Sequence, residues 1–474
     1  MFDLLETTIS DIQAAYASGE LTALELTLRY LERIADIDQS GPSLNSVLEI
    51  NPDALDIAEA LDREYAQTGP RSPLHGIPVL IKDNINTCDK MHTSAGSLAL
   101  ADNYAPFDAH IVTRLREAGA IILGKANLTE LANFLTAGMR NGFSSRGGAV
   151  LNPYGADLNV GGSSAGSGAA VSANLCAIAV GTETSGSILC PANWNGVVGV
   201  KPTKGLVSRT GIIPICTAQD TAGPLTRTVA DAADLLTVLA GTDPEDPATA
   251  AIDPWLEDYT KYLDPDGLRG MRIGISHAGE ERWAQEHRDL LPAALKALEE
   301  AGATLVEVDM PGVARETSMD IMLYEFKQCL NAYLATCDDP GAKSLLEIID
   351  FNNRDPERCL KYGQSIALDA QHKTTGRLTD PQYLHARISA LRESRALVDG
   401  LLKEHNLDCI VNLGWNNIPP SSGYPAISVP IGVGKESNQP IGLTFTGPAF
   451  GEGILFRAAY AFEQKLHGRV PPKL

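Results

Sequence analysis

The sequence predicts an α/β fold whose β-sheet is covered by helices on both faces. Short runs of apolar residues, each about the length of a strand, recur along the chain, and amphipathic helical patterns separate many of them. A strand that is buried on both faces has a continuous apolar sequence, and the alternation of such strands with helices is typical of a sheet between two helical layers.

The first helical pattern covers residues 22–37. Thr22 and Glu25 have the spacing of a capping box, and Leu24 and Leu28 lie one helical turn apart on the same face. These features predict a helix that packs against the outside of the fold.

The apolar runs predict seven strands, at residues 76–82, the second half of 116–127, 176–181, 271–276, 303–310, 408–413 and 426–431. Helices are predicted at 228–241 and 292–303, and a surface loop at 243–260. Between about 316 and 404, helical segments follow one another with few strand signals. We expect this part to be a helical insertion that walls or covers a site.

The composition excludes several classes of function. The 474 residues include 38 Lys and Arg against 59 Asp and Glu, a net charge of −21. Such a surface repels phosphate groups and anionic lipids, so we expect no nucleic-acid partner and no membrane partner. The N-terminus has acidic residues where an export signal is basic, and no apolar run is long enough to cross a bilayer.

The eight cysteines and nine histidines give no sign of a metal site. The sequence contains no C-x-x-C and no H-E-x-x-H motif, and its histidines are scattered. Cys176 and Cys409 lie inside apolar runs, as small core residues do. We therefore expect no metal, no cofactor, no disulfide framework and a reducing, cytoplasmic environment.

Two segments rich in glycine and serine, residues 159–175 and 180–203, offer three functional hypotheses. A nucleotide-binding loop is disfavoured, because the glycines fit neither the P-loop nor the G-x-G-x-x-G spacing. The residues around Ser164 match G-x-S-x-G, the nucleophile motif of α/β-hydrolases, although a five-residue match is weak. The alternative for Ser164 and Ser167 is a role in capping the small-residue helix that follows.

The third hypothesis combines both segments with a lysine. Lys82 ends an apolar run, where burial would lower its pKa and allow it to act as a base. A serine can attack an amide if a base and hydrogen-bond donors surround it, and a second hydroxyl can relay the proton. The second segment places its serines in a tight turn whose main-chain N–H groups could converge on one point.

Long motifs in the chain resemble the amidase signature family. The matching stretches are GGSSAGSGAAVSA, GTETSGSILCPANWNGVVGVKPTKG, LHGIPVLIKDNINT with TSAGS, GPLTRTVADAADLL, SGYPAISVPIG and PIGLTFTGPAFGEGILFRAAYAFE. They extend from near residue 8 to near residue 466. The resemblance implies one large domain of residues 1–474 with a mixed sheet, and hydrolysis of a carboxylic amide to an acid and ammonia.

Carried over residue by residue, the family's Ser–cis-Ser–Lys triad falls on Ser187, Ser163 and Lys82. The resemblance implies that Ser187 is the nucleophile, that the Gly162–Ser163 peptide is cis, and that Lys82 accepts a proton through Ser163. It also implies an oxyanion hole made of main-chain N–H groups from Thr184, Ser185, Gly186 and Ser187. Thr182 is expected to support this turn.

The positions after the nucleophile favour an uncharged substrate. Many family members have an arginine two or three residues after it, where Leu189 and Cys190 stand here. An apolar wall at these positions favours neutral or hydrophobic amides, and the motifs are similar to those of the peptide amidase branch, which acts on C-terminal peptide amides. The alternative is a glutamine-hydrolysing subunit of a tRNA amidotransferase. Asp83 and Glu183 are expected to be structural.

Overall fold

Eleven strands form one mixed sheet that runs through the molecule. The computed structural model describes residues 2–474. The strands of this sheet are β1 (Val47–Ile50), β2 (Pro78–Lys82), β3 (Ile121–Ala126), β6 (Ile178–Glu183), β7 (Val198–Lys201), β8 (Thr221–Thr226), β9 (Arg272–Ser276), β10 (Thr304–Val308), β11 (Cys409–Leu413), β12 (Ala426–Val433) and β13 (Pro440–Thr446), and a separate hairpin consists of β4 (Phe143–Ser144) and β5 (Gly148–Ala149). The order of the strands in the sheet is β1-β3-β2-β6-β8-β7-β12-β13-β11-β9-β10. Strand β2 pairs in parallel with β3 and β6, and β9 pairs in parallel with β10 and β11, whereas the other neighbours are antiparallel.

Helices flank this sheet, as the sequence predicts. They are α1 (Ile9–Ser18), α2 (Ala23–Arg33), α3 (Ala54–Thr68), α4 (His110–Glu117), α5 (Glu130–Asn133), α6 (Ala165–Ser172), α7 (Leu189–Trp194), α8 (Val229–Leu239), α9 (Gln285–Arg288), α10 (Leu291–Glu300), α11 (Arg315–Leu334), α12 (Leu345–Arg354), α13 (Pro356–Cys359), α14 (Ser365–His372), α15 (Pro381–His405), α16 (Ile418–Ser422) and α17 (Glu452–Leu466). Within the described residues, none is long and apolar enough to cross a membrane.

The molecule has two main hydrophobic cores. The larger core lies along the sheet and is dominated by aliphatic side chains from its strands and covering helices. The second core joins helices α11, α12, α14 and α15 to residues of the segments 95–100, 128–139 and 213–218. The helical region predicted at 316–404 therefore packs on loops that leave the sheet, beside the glycine–serine segments.

The predicted strands and helices are present, but three details differ. The capping box of Thr22 forms, yet α2 buries Leu26 and Tyr30, and Leu28 on the predicted face is 41% exposed. Four strands of the large sheet, β1, β7, β8 and β13, and the hairpin of β4 and β5 were not predicted from the sequence. The sequence before the first glycine–serine segment has a strand pattern that leads into α6, but the chain there is irregular and forms turns around a bridge between Asn152 and Gly155.

Candidate active site

A fully buried lysine lies at the centre of a hydrogen-bond network. Lys82 is the last residue of β2, and its Nζ lies 2.7 Å from Ser163 Oγ, 3.0 Å from Ser164 Oγ and 2.8 Å from Thr182 Oγ1. The Nζ group also donates to the main-chain oxygen of Thr182 at 3.2 Å. Asn84 donates to Thr182 Oγ1 at 3.1 Å, so the hydroxyl that faces the lysine is itself held in place.

Burial changes the acid–base character of Lys82. Its removal from water lowers the pKa of this ammonium from 10.5 to about 7, because the charged form loses its hydration. The carboxylates of Asp220 and Glu183 act in the opposite direction, since a negative charge nearby favours the ammonium. A substantial share of Lys82 is therefore neutral near pH 7 and able to accept a proton.

The two candidate serines are adjacent in space. The Gly162–Ser163 peptide is cis, as the resemblance implies. The N–H of Ser164 donates to the main-chain oxygen of Ser187 at 3.2 Å, which ties the first glycine–serine segment to the second. Ser163 is fully buried and Ser187 is 8% exposed. Within the described residues no hydrogen bond joins their hydroxyls, a geometry common in enzymes without bound substrate.

Main-chain donors surround Ser187. Within the described chain, no hydrogen bond uses the N–H groups of Thr184, Ser185, Gly186 or Ser187. Gly186 has φ +87°, a left-handed conformation that suits glycine and turns the chain sharply. Thr184, Gly186 and Ser187 are buried and Ser185 is exposed, so the N–H groups of this turn are open to a hydrogen-bond acceptor that enters from the cavity side.

Side chains on both sides hold this turn. Thr184 Oγ1 donates to Asp220 Oδ1 at 2.6 Å, and the other carboxylate oxygen of Asp220 accepts the N–H groups of Ile215 and Cys216. On the other side, Glu183 Oε2 accepts the N–H groups that begin α7, directly after Ser187, at 2.8 and 3.0 Å. Glu183 is structural in this arrangement, as the sequence analysis expects.

Three tryptophans pack behind the turn. A Cβ added at Gly186 would lie 3.1 Å from the Trp415 indole, so the ring lies directly against this glycine. Trp415 packs edge-on against Trp283 and Trp194, with ring centroids 4.8 and 5.7 Å apart. Since Trp194 ends α7, the cluster supports both the turn and the helix that follows the nucleophile.

Ser187 opens into a cavity of about 430 Å³, which we call cavity A. Its walls come from three places: the turn at Thr184, Ser185 and Ser187, the loop 132–139, and the helices α11 and α14 of the second core. None of its nineteen lining residues is Lys or Arg, and most of its helical wall is apolar. A second cavity of about 390 Å³, cavity B, borders Thr182, Thr184 and Asp220.

The structure changes the interpretation of Ser164 and Ser167. The Ser164 hydroxyl makes no cap hydrogen bond to α6; it faces Lys82 and donates to the main-chain oxygen of Thr182 at 3.0 Å. Ser167 donates to the main-chain oxygen of Val180 and is not a cap either. The hydrolase hypothesis is also disfavoured, because Ser164 is fully buried and follows no strand.

Two predicted wall residues lie away from the cavities. Leu189 and Cys190 are buried in α7 and are not among the residues that line cavity A or cavity B. Burial raises the pKa of the Cys190 thiol to about 12, which makes it a poor nucleophile. Asp83 is buried and accepts hydrogen bonds from Ser94 and Gly96, which fits the expected structural role.

Sequence reasoning missed several residues of the site. Asn84 lies in the turn that follows β2, two positions after Lys82, so its nearness to Lys82 in the sequence is the only signal that points to it. Asp220 and Trp415 carry no such signal. They reach the turn from distant parts of the chain, and only the folded structure brings them there.

Comparisons with known proteins agree with this geometry. A family model described as Amidase matches residues 25–412, and the chain belongs to this family of amide-hydrolysing enzymes. The solved structure of native peptide amidase from Stenotrophomonas maltophilia is 45% identical, with a TM-score of 0.95, and the match covers 100% of this chain and 99% of that one.

Curated relatives extend the comparison. A probable amidase from Arabidopsis thaliana is 40% identical over 487 residues, which cover 100% of this chain and 92% of the relative. A glutamyl-tRNA(Gln) amidotransferase subunit from Thermosynechococcus vestitus is 36% identical, over 97% of this chain and 98% of that protein.

Proposed function

We propose that the protein hydrolyses carboxamides that carry no carboxylate in the acyl part, C-terminal peptide amides among them, through an acyl-enzyme on Ser187. The observation that carries this proposal is the 2.7 Å contact between the buried Lys82 Nζ and Ser163 Oγ, next to the segment that bears Ser187. Lys82 is the base, Ser163 the relay and Ser187 the nucleophile in this mechanism.

The first half of the reaction forms the acyl-enzyme. Ser187 Oγ bonds to the amide carbon as its proton passes to Ser163 Oγ, while the proton of Ser163 passes to neutral Lys82 Nζ. The main-chain N–H groups of residues 184–187 stabilise the negative charge that develops on the carbonyl oxygen. The protons then return along the same path to the departing nitrogen, the C–N bond breaks, and ammonia leaves.

The second half releases the acid. Water attacks the ester carbon of Ser187, and its proton follows the same relay to Lys82. Breakdown of the second tetrahedral intermediate frees the carboxylic acid and returns the proton to Ser187 Oγ. The same network serves both halves of the reaction, because Lys82 accepts a proton through Ser163 in each addition step and returns it in each breakdown step.

The lining of cavity A supports an acyl group without a carboxylate. A carboxylate in cavity A would lose water and find no Lys or Arg among the lining residues, whereas an apolar group gains from contact with Met319, Met322 and Leu323. The similarity to peptide amidase supports peptide amides in particular. A structure of that enzyme is described as a complex with the competitive inhibitor chymostatin.

Ammonia release from matched amides tests this proposal. We expect kcat/KM for an N-acetylated, amidated dipeptide to exceed that for glutamine and malonamate by about 100-fold or more, because specificity depends on this ratio. Ser187→Ala should lower kcat by at least about 10⁴-fold. Ser18→Ala, which removes a hydroxyl at the exposed end of α1, serves as the matched control. Equal or faster hydrolysis of glutamine would instead favour the amidotransferase-like function.

A further inference from the structure

We propose that Asp369 makes cavity A selective for amides that carry a positive charge in their acyl part. This inference rests on the proposed function and deepens it. Of the nineteen residues that line the cavity, Asp369 is the only one with an ionisable carboxyl or basic side chain. The other walls offer apolar side chains, hydroxyls and amides, so Asp369 is the residue of this lining that can form an ion pair with a cation.

The position of Asp369 is fixed by the start of α14. Ser365 Oγ lies 3.0 Å from Thr136 Oγ1 and accepts the N–H of Ala137 at 3.1 Å. The N–H of Ala367 donates to the main-chain oxygen of Leu135 at 3.0 Å. These bonds attach α14 to the loop that forms another wall of cavity A, and Asp369 follows one helical turn after Ser365.

A neighbouring lysine does not cancel this carboxylate. Lys373 Nζ lies 2.8 Å from Asp369 Oδ1, but the Lys373 side chain is 72% exposed and does not line the cavity. Pairs of this kind, four residues apart on an exposed helix face, are weak and are screened by salt. The Asp369 side chain is itself 38% exposed, so a substrate cation would meet this carboxylate at the mouth of the cavity, where the walls exclude part of the surrounding water.

The substrate class that follows is a short peptide amide or amino-acid amide with an ammonium or guanidinium group. The charge can belong to a basic side chain or to a free N-terminus, and both present the same chemistry to Asp369. The net charge of the chain, −21, also favours the approach of cations.

Two pairs of substrates separate these sources. The first pair is acetyl-Gly-Lys-amide and acetyl-Gly-norleucine-amide, which differ in a side-chain ammonium. The second pair is Gly-norleucine-amide and acetyl-Gly-norleucine-amide, which differ in a terminal ammonium. We expect kcat/KM to favour the cation at least about fivefold in one pair or both, and 0.5 M NaCl to reduce this ratio.

Variants assign the preference to Asp369. Asp369→Asn should reduce the cation-to-neutral ratio to about one, whereas Lys373→Met should keep or increase it. Asp102→Asn, which removes the same charge from an exposed residue that lines no cavity described here, should leave the ratio unchanged. A ratio near one in the wild type, a ratio that survives Asp369→Asn, or a ratio that Lys373→Met abolishes would each overturn the inference. If the wild type hydrolysed none of these amides, that result would instead refute the proposed amide-hydrolysing function.

Discussion

The two sides of cavity A are built differently. On the side of Ser187, the polar groups come from the large sheet and its following turns, and Lys82 there has four hydrogen-bond contacts in a fully buried site. On the opposite side, α11 and α14 contribute partly buried side chains such as Met319 and Ile366. The candidate catalytic residues therefore lie among buried polar groups, whereas the helical side presents partly exposed, mainly apolar side chains to a substrate.

The largest expected effect lies in the buried network. Lys82→Ala should lower kcat at pH 7 by about 10³-fold or more, because no other base among the described residues contacts Ser163. In the wild type, activity should rise as pH increases through about 7, since the neutral amine is the active form and its pKa is lowered by burial. The measurement is kcat/KM across pH 5–9.

A second buried lysine provides the control. Burial lowers the pKa of Lys125 in β3 to about 8, and its Nζ contacts Ile85 and Thr93. Lys125→Met should leave the position of the rising limb unchanged, even if it lowers the melting temperature. The assignment of Lys82 as the base would be contradicted if the rising limb of the pH–activity profile shifted in Lys125→Met and kept its position in Lys82→Ala.

A smaller loss of activity is expected for a substitution in the turn at Gly186. Gly186→Ala places a Cβ at φ +87° and within 3.1 Å of Trp415, so the donors of the turn should shift. We expect kcat to fall about 100-fold with a smaller change in KM, as when an oxyanion donor is displaced.

The control for this variant carries the same backbone strain. Gly270 has φ +78° and no atom within 4 Å of an added Cβ. Gly270→Ala should cost about 1 kcal/mol of stability without lowering kcat. If both variants lose the same activity, the turn has no special role.

The smallest expected effect is on the helical side. Met319→Ala should raise KM about threefold to tenfold for a hydrophobic peptide amide and leave kcat within about twofold, because it removes contacts made equally in the ground and transition states. Leu346→Ala, at an exposed residue of α12 outside the cavity lining, is the matched control. A fall in kcat at Met319 would show that the helical side takes part in the chemistry.

The sequence predicted most of the sheet because buried strands such as β2 and β6 have continuous apolar sequences. It missed β8, whose sequence TAGPLT has few of the residues that favour strands and is stabilised by its neighbours β6 and β7. Because pairing with neighbouring strands, and not the local sequence pattern, stabilises β8, the sequence pattern could not reveal it.

The candidate site shows the same limit. Lys82, Ser163 and Ser187 could be named because each stands in a long motif, and the structure brings Lys82 and Ser163 into contact. The apolar wall expected at Leu189 could not be placed correctly, since that residue turns into the core at the start of α7. Which helix faces the cavity depends on contacts between distant segments such as 132–139 and α14.

The tryptophan cluster gives the protein a built-in optical signal. The chain has four tryptophans, and three of them, Trp194, Trp283 and Trp415, lie together behind the turn at Gly186. The fourth, Trp255, is 43% exposed and stacks on Phe450. In this cluster Trp283 is buried and Trp194 and Trp415 are half-buried beside the turn that precedes Ser187. We therefore expect acylation and deacylation to change the emission of these indoles, which a stopped-flow experiment can record without a label.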